Sequence, residues 1–260
     1  MNLTRRQFLT YSGAAVLSLA LPGRGQAQAV RIPVLLYHDL SIHQGEEETV
    51  IPSAFATQME WLYGMGFRAV SFDGIDSLDA DSMGRAVIIT FDDGPASFMD
   101  HAFPILAEYG FKATVTVIGQ KASGVTSSHD PSLSWDECRF LVKSGIVEIG
   151  CHTNALHVWG RGPSPALTLA AFNERLGKDL AAFQDRYRRE LGRPASVLAW
   201  PYGRYDRTSI EIAKHEGFRY LLTSNRGYYE RGGDRGEIPR WPVNHDADLP
   251  AFRKHIERRT

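Results

Sequence analysis

Short apolar runs alternate with stretches of helical period along most of the chain. Positions 32–39 read as an unbroken apolar strand running into His38 and Asp39. After a polar loop at 41–49, Ser53 is placed to cap a helix with Phe55, Met59 and Leu62 on one face, closed by Gly66. Positions 69–72 predict a short second strand. A third, 86–91, is apolar and β-branched throughout and ends in Asp92-Asp93-Gly94. A helix over 102–109 stops at Gly110, and a strand rich in β-branched residues covers 113–118. Ser134-Trp135-Asp136-Glu137 is a capping box, and the strand at 146–151 again runs into a histidine, His152. The stretch 168–191 is a long helix with Phe172, Leu176, Leu180, Phe183, Tyr187 and Leu191 on one stripe. Then come a strand at 196–200, a capped helix at 206–216, a strand at 219–223, an irregular strand at 238–243 and a terminal helix at 248–258.

Strands alternating with helices imply a mainly parallel sheet. Seven or eight strands, with no internal repeat, long linker or low-complexity block, predict an α/β barrel in a single domain. In such barrels the chemistry sits at the C-terminal ends of the strands. His38, Asp92, Asp93, His152 and the turn Pro201-Tyr202-Gly203 all fall there.

Composition narrows the function. The 260 residues carry a net charge of only −1, which argues against nucleic acid as a partner and favours a neutral substrate. Arg5-Arg6 followed by an apolar run at 11–21 and by Ala27-Gln28-Ala29 reads as a twin-arginine signal peptide over 1–29. The apolar run is too short for stable membrane insertion. Removing it takes away Arg5, Arg6 and Arg24, so the mature region 30–260 has a net charge of −4. The expected location is periplasmic or secreted. Two cysteines do not make a disulfide framework, and Cys151 reads as a small buried strand residue rather than a ligand.

The candidate chemistry centres on Asp92 and Asp93. Taken alone, Asp-Asp-Gly after a strand is equally a polar turn. Adjacent strand-end residues point different ways, however, so one carboxylate can bind a metal while the other handles a proton. His152 and His157 are five residues apart, too far for the i, i+4 pair of a helix face, so a loop must fold both inward. With Asp93 they form a two-histidine, one-carboxylate set that leaves positions open for water and substrate. Asp92 is then placed as general base, and His38 as the acid for a leaving group or, alternatively, as a neutral core histidine.

Thr90-Phe91-Asp92-Asp93-Gly94, His152-Thr153 through His157, and Trp200-Pro201-Tyr202-Gly203 resemble the motifs of polysaccharide deacetylases, the NodB-homology or family-four carbohydrate esterases. The resemblance runs from about residue 31 to about 245. It implies a distorted (β/α) barrel and metal-dependent removal of acetyl groups from sugars. It further implies Asp92 as base, Asp93, His152 and His157 as ligands, and the Tyr202 N–H as oxyanion donor. Many members instead have an i, i+4 histidine pair, and an arginine shortly before the Pro-Tyr turn where this chain has Leu198-Ala199-Trp200. A late histidine acid is represented only by His245. The early Tyr37-His38-Asp39 is similar to the exported deacetylases of biofilm poly-β-1,6-N-acetylglucosamine, in which an early histidine serves as acid. On that resemblance Arg240 replaces the missing arginine beside Asp92, and Asp246 contacts His38. Zinc is the expected metal, with nickel, cobalt or iron also suited to nitrogen and oxygen ligands. A carbohydrate polymer is the expected partner, with Trp159, Trp200, Tyr202 and Trp241 as candidate sugar platforms. Rival readings are a deacetylase of chitin-type, peptidoglycan or O-acetylated chains, a non-catalytic glycan-binding protein, and a non-haem iron oxygenase.

Overall fold

The computed structural model describes residues 30–42, 47–124, 131–157 and 168–257. The twin-arginine segment and Trp159 lie outside these residues. Within them the strands of the main sheet are β1 (Arg31–Tyr37), β2 (Arg68–Val70), β3 (Ala86–Phe91), β4 (Ala113–Val117), β5 (Val147–Cys151), β6 (Val197–Ala199), β7 (Tyr220–Leu222), β8 (Tyr228–Glu230) and β9 (Trp241–Pro242). The principal helices are α1 (Pro52–Gly64), α2 (Phe103–Tyr109), α3 (Trp135–Lys143), α4 (Leu169–Leu191), α5 (Arg207–His215) and α6 (Leu249–Glu257).

The sheet runs β8-β1-β3-β4-β5-β6-β7, with β2 also on β3 and β9 also on β1. Every pairing is parallel except β1–β8. The sheet curls until segment 238–243 bridges its edges. Ile238 pairs with Leu222 of β7, and Trp241 pairs with Leu35 of β1. The expected barrel is therefore closed by irregular backbone rather than by a full strand.

Alternation along the strands sorts side chains into two sets. Leu35, Tyr37, Val87, Ile89, Phe91, Val115, Ile149, Leu198 and Leu221 join one apolar core with the buried residues of the helices. Ile32, Val34, Ala86, Ile88, Val197, Ala199, Tyr220, Leu222 and Ile238 form a separate core inside the curl, with Phe72 and Ile75 packed against them. Polar residues share the inward register: Thr90 and Asp92 on and just after β3, Thr114 and Thr116 on β4, Glu148 and His152 on and just after β5, and Arg240 before β9. Behind β1 and β3 an aromatic cluster stiffens the strand ends that carry His38 and Asp92. Tyr37 lies 5.2 Å from Phe91 and from Phe55, and Phe91 lies 5.0 Å from Phe98. The Tyr37 hydroxyl donates to Gln58 at 2.8 Å.

The helices follow the predicted pattern, with instructive exceptions. The Ser134 capping box is present, Thr168 and Asp206 cap α4 and α5, and Gly110 and Gly192 end α2 and α4 in the left-handed region. Ser53 does not cap α1. The helix starts two residues earlier than such a cap would set it, at Pro52, whose fixed φ suits a first helical position, with Ile51 as N-cap. The second strand stops at Val70, because Phe72 opens a four-residue helix that places its ring inside the curl. Cys151 is buried at the end of β5.

Candidate functional site

At the C-terminal ends of β1, β3 and β5 the structure brings His38, Asp92, Asp93, His152 and His157 together. Among the described residues only three non-glycine positions have positive φ: Asp93 (66°), Thr153 (67°) and Tyr202 (56°). All three lie in this one region, and such backbone persists only where surrounding structure over-determines it.

Asp92 continues β3 into the interior, its N–H donating to the Tyr37 carbonyl at 3.0 Å. Its carboxylate meets the Arg240 guanidinium as a fork, with Nη1 donating to Oδ1 at 2.8 Å and Nη2 to Oδ2 at 2.7 Å. Thr116 Oγ1 donates to Oδ1 at 2.8 Å, leaving Oδ2 with the spare acceptor capacity. Arg240 is completely buried. Its Nε donates to the Thr223 carbonyl at 2.8 Å, and Nη1 also donates to Thr90 Oγ1 at 3.1 Å. Burial opposes ionisation of Asp92, but the charge of the Arg240 guanidinium and its hydrogen bonds to the carboxylate outweigh it. Arg240 thereby holds the carboxyl well below the usual carboxylate range.

The positive φ at Asp93 turns its side chain out of the strand register and toward the histidines. Its Oδ1 lies 3.0 Å from His157 Nε2 and 3.4 Å from His152 Nε2. One nitrogen or oxygen from each of the three residues falls within 4.8 Å of the others. His152 Nδ1 is 3.0 Å from the Ala199 carbonyl, which can only accept, so the proton sits on Nδ1 and Nε2 presents a lone pair. Burial also lowers the His152 pKa to about 4, which keeps the ring neutral. A lone pair therefore faces carboxylate oxygen, and that buried Oδ1 has no aligned hydrogen-bond donor. Two acceptors aimed at one point call for a cation, so the donor set fits a divalent metal. His157 Nδ1, 3.4 Å from the Tyr202 hydroxyl, can donate there while its Nε2 also turns inward.

The remaining expected residues are distributed as follows. His38 is mostly buried, and the carboxylate near its Nε2 is Glu48 at 3.9 Å, not Asp246. Glu48 is one of three successive glutamates about ten positions after His38, so sequence alone gave no reason to choose it. His245 Nδ1 lies 3.1 Å from the Glu47 carbonyl. Tyr202, at the Pro201-Tyr202-Gly203 turn, is 42% exposed and its ring lies 4.7 Å from that of His157, so it remains accessible to a sugar. Trp200 is not a platform. Its outward register buries it in the helix-side core, stacked on Tyr205. Trp241 faces α6 and stacks on His255 at 4.6 Å.

Sequence reasoning passed over Asp179 on α4. Its oxygens accept the N–H groups of Asn154 and Ala155 at 2.7 and 2.8 Å, within the histidine loop. A carboxylate on the inner stripe of an amphipathic helix, between Leu176, Leu180 and Phe183, was the available signal.

Residues 79–221 match the family model described as polysaccharide deacetylase. A Bacillus subtilis protein assigned to the polysaccharide deacetylases is 26% identical over 87% of this chain and 76% of its own length. The poly-beta-1,6-N-acetyl-D-glucosamine N-deacetylase of Staphylococcus epidermidis is 25% identical over 80% of this chain and 74% of its own. The Escherichia coli protein of that name is 24% identical over 84% of this chain, which spans 38% of its length. Among solved structures, IcaB from Ammonifex degensii superposes with a TM-score of 0.73 at 26% identity, covering 86% of this chain and 94% of that one. The Streptococcus pyogenes deacetylase PplD gives 0.75 at 21% identity, covering 88% and 99%.

Proposed function

Because this chain belongs to the polysaccharide deacetylase family, we propose that it removes N-acetyl groups from N-acetylglucosamine units of an extracellular poly-β-1,6-linked polymer, releasing acetate. The observation that carries this reading is the pairing of two differently held aspartates. Asp92 is ionised and locked by Arg240, while its neighbour Asp93 faces two imidazoles across a cation-shaped gap.

Asp93, His152 and His157 would hold one divalent ion, zinc for preference. Such an ion lowers the pKa of water to ~7 and polarises a carbonyl as it becomes an oxyanion. Asp92 takes the proton of the attacking water at Oδ2, the oxygen with acceptor capacity to spare. Arg240 keeps that carboxylate ionised and fixes its plane. The Tyr202 N–H, at a turn held in the left-handed region, serves as oxyanion donor, and its exposed ring offers a face to the sugar. His38 protonates the departing amine, with the Glu48 carboxylate 3.9 Å from its Nε2. The region 1–29 acts as a twin-arginine export signal and 30–260 as the deacetylase domain, working in the periplasm or outside the cell. No helix among the described residues is long and apolar enough to cross a membrane.

The test is acetate release from a short β-1,6-linked N-acetylglucosamine oligomer by residues 30–260. It is run with and without chelator and after adding back single metals. Release restored by zinc is the expected result. Release from chitin oligomers, peptidoglycan or acetylated xylan instead would move the substrate and leave the reaction class.

A further inference from the structure

The proposed metal site depends on a loop that cannot hold its own shape. Five positions separate His152 from His157, so no helical ladder links them, and the intervening amides need partners from elsewhere. The structure supplies partners on two sides. The Gly119 N–H donates to the Thr153 carbonyl at 3.1 Å, and the Gln120 N–H donates to the Asn154 carbonyl at 2.9 Å. The absence of a side chain at Gly119 suits that approach, since a Cβ there would stand 2.4 Å from Asn154 Oδ1 and 3.0 Å from Phe183. On the other side, Thr153 in the left-handed region turns the chain so that the next two N–H groups converge on one carboxylate, that of Asp179. Asp179 is buried on a 23-residue helix whose other inward residues are core. It therefore ties the loop to the most extensively packed helix of the fold.

We propose that Asp179 is a positioning residue that sets the separation of the two imidazoles, and with it the metal affinity of the site. The inference rests on the reading of Asp93, His152 and His157 as metal ligands. Asp179 touches neither imidazole. It acts through two backbone amides, a route that differs from the common one in which a carboxylate bonds the ligand ring directly.

The experiment compares wild type, Asp179→Asn, Asp179→Ala and His157→Ala, each freed of metal and titrated with zinc by calorimetry. The Co2+ forms are examined by visible absorption, and the metal-free forms by thermal melting. Asp179→Asn keeps the shape and one acceptor but turns an amide NH2 toward the second N–H. It is expected to bind zinc about 10-fold more weakly, and Asp179→Ala up to about 100-fold, with a changed Co2+ spectrum and a still cooperative melt. Should the alanine variant not fold, the near-isosteric asparagine variant decides. Cooperative melting with wild-type affinity and spectrum in Asp179→Asn would overturn the positioning role. If wild type binds no stoichiometric metal, or His157→Ala binds it equally well, the ligand reading itself falls.

Discussion

At the residue scale, two neighbouring aspartates differ because one follows strand alternation and the other leaves it. Asp92 keeps the inward register of Ala86, Ile88 and Thr90 and lands on Arg240, whereas φ of +66° swings Asp93 to the histidines. The divergence was legible in the sequence only in part: adjacent strand-end residues point different ways, but Asp-Asp-Gly taken alone reads equally as a polar turn. The Arg240 fork could be expected only from the family resemblance, not from spacing, because 148 positions separate the partners and only closure of the sheet joins them. Asp92→Asn is expected to abolish acetate release while zinc affinity, read by calorimetry, stays within a few-fold; near-normal turnover would end the general-base assignment. Arg240→Met leaves a buried carboxylate without its counter-charge and is expected to cost about 3–5 kcal/mol in urea unfolding. Adding Asp92→Asn to that variant should recover much of the loss. Since the folded pKa of Asp92 is depressed, its contribution to stability is present above the unfolded value near ~3.9 and fades as pH falls through the folded one.

At the element scale, β5 shows how one strand serves both ends of the curl. The inward register that delivers His152 at the open end buries Glu148 four positions earlier. There it accepts bonds from Thr114 Oγ1 at 3.2 Å, Ser196 Oγ at 3.1 Å and the Asp73 N–H at 3.3 Å. Burial, and then the nearby Asp73 charge, push Glu148 up to about 7. A raised carboxyl pKa means the folded state holds its proton more tightly. The contribution to stability is therefore most favourable below the unfolded pKa and declines as pH rises toward 7. Gln in this place can satisfy the same three groups without charge, so Glu148→Gln should melt several degrees higher at pH 8 and show little gain at pH 4.5. Equal gains at both values would contradict the assignment. Element types were largely readable from period and caps. The edge strand β8 was not, because Tyr228-Tyr229-Glu230 is a three-residue segment in a Gly/Arg-rich loop and owes its pairing to the exposed start of β1. The one-turn helix at Phe72 was hidden for a related reason, since its apolar residues continue the strand's pattern and only their destination inside the curl separates them.

For the whole molecule, the order of strands and helices was enough to predict a parallel, curled α/β sheet with its chemistry at one rim. The irregularity of segment 238–243, with its two prolines, was legible, but sequence could not say that this segment would join β7 to β1 and close the sheet. A metal bound only by the folded chain adds stability by mass action. At a hundredfold excess over Kd this amounts to about 2.7 kcal/mol, which for a chain of this size raises Tm by about 5–10 °C. Zinc should produce that rise in the metal-stripped protein, chelator should reverse it, and Asp93→Ala should show neither. A zinc-induced rise that persists in Asp93→Ala would place the ion elsewhere.

The bridge at 238–243 also fixes a sequence of events during synthesis. Asp92 leaves the ribosome almost 150 residues ahead of Arg240, so for most of translation the carboxylate has no counter-charge and no reason to leave water. The inward faces of β1, β3 and β7 can be sealed only when the last of these segments has emerged. Catalytic competence thus arrives only once segment 238–243 has emerged, together with closure of the sheet. A chain released just before residue 238 should consequently be an unfolded, protease-sensitive species and not a folded protein lacking only its arginine, an outcome that limited proteolysis of the truncated product would read directly.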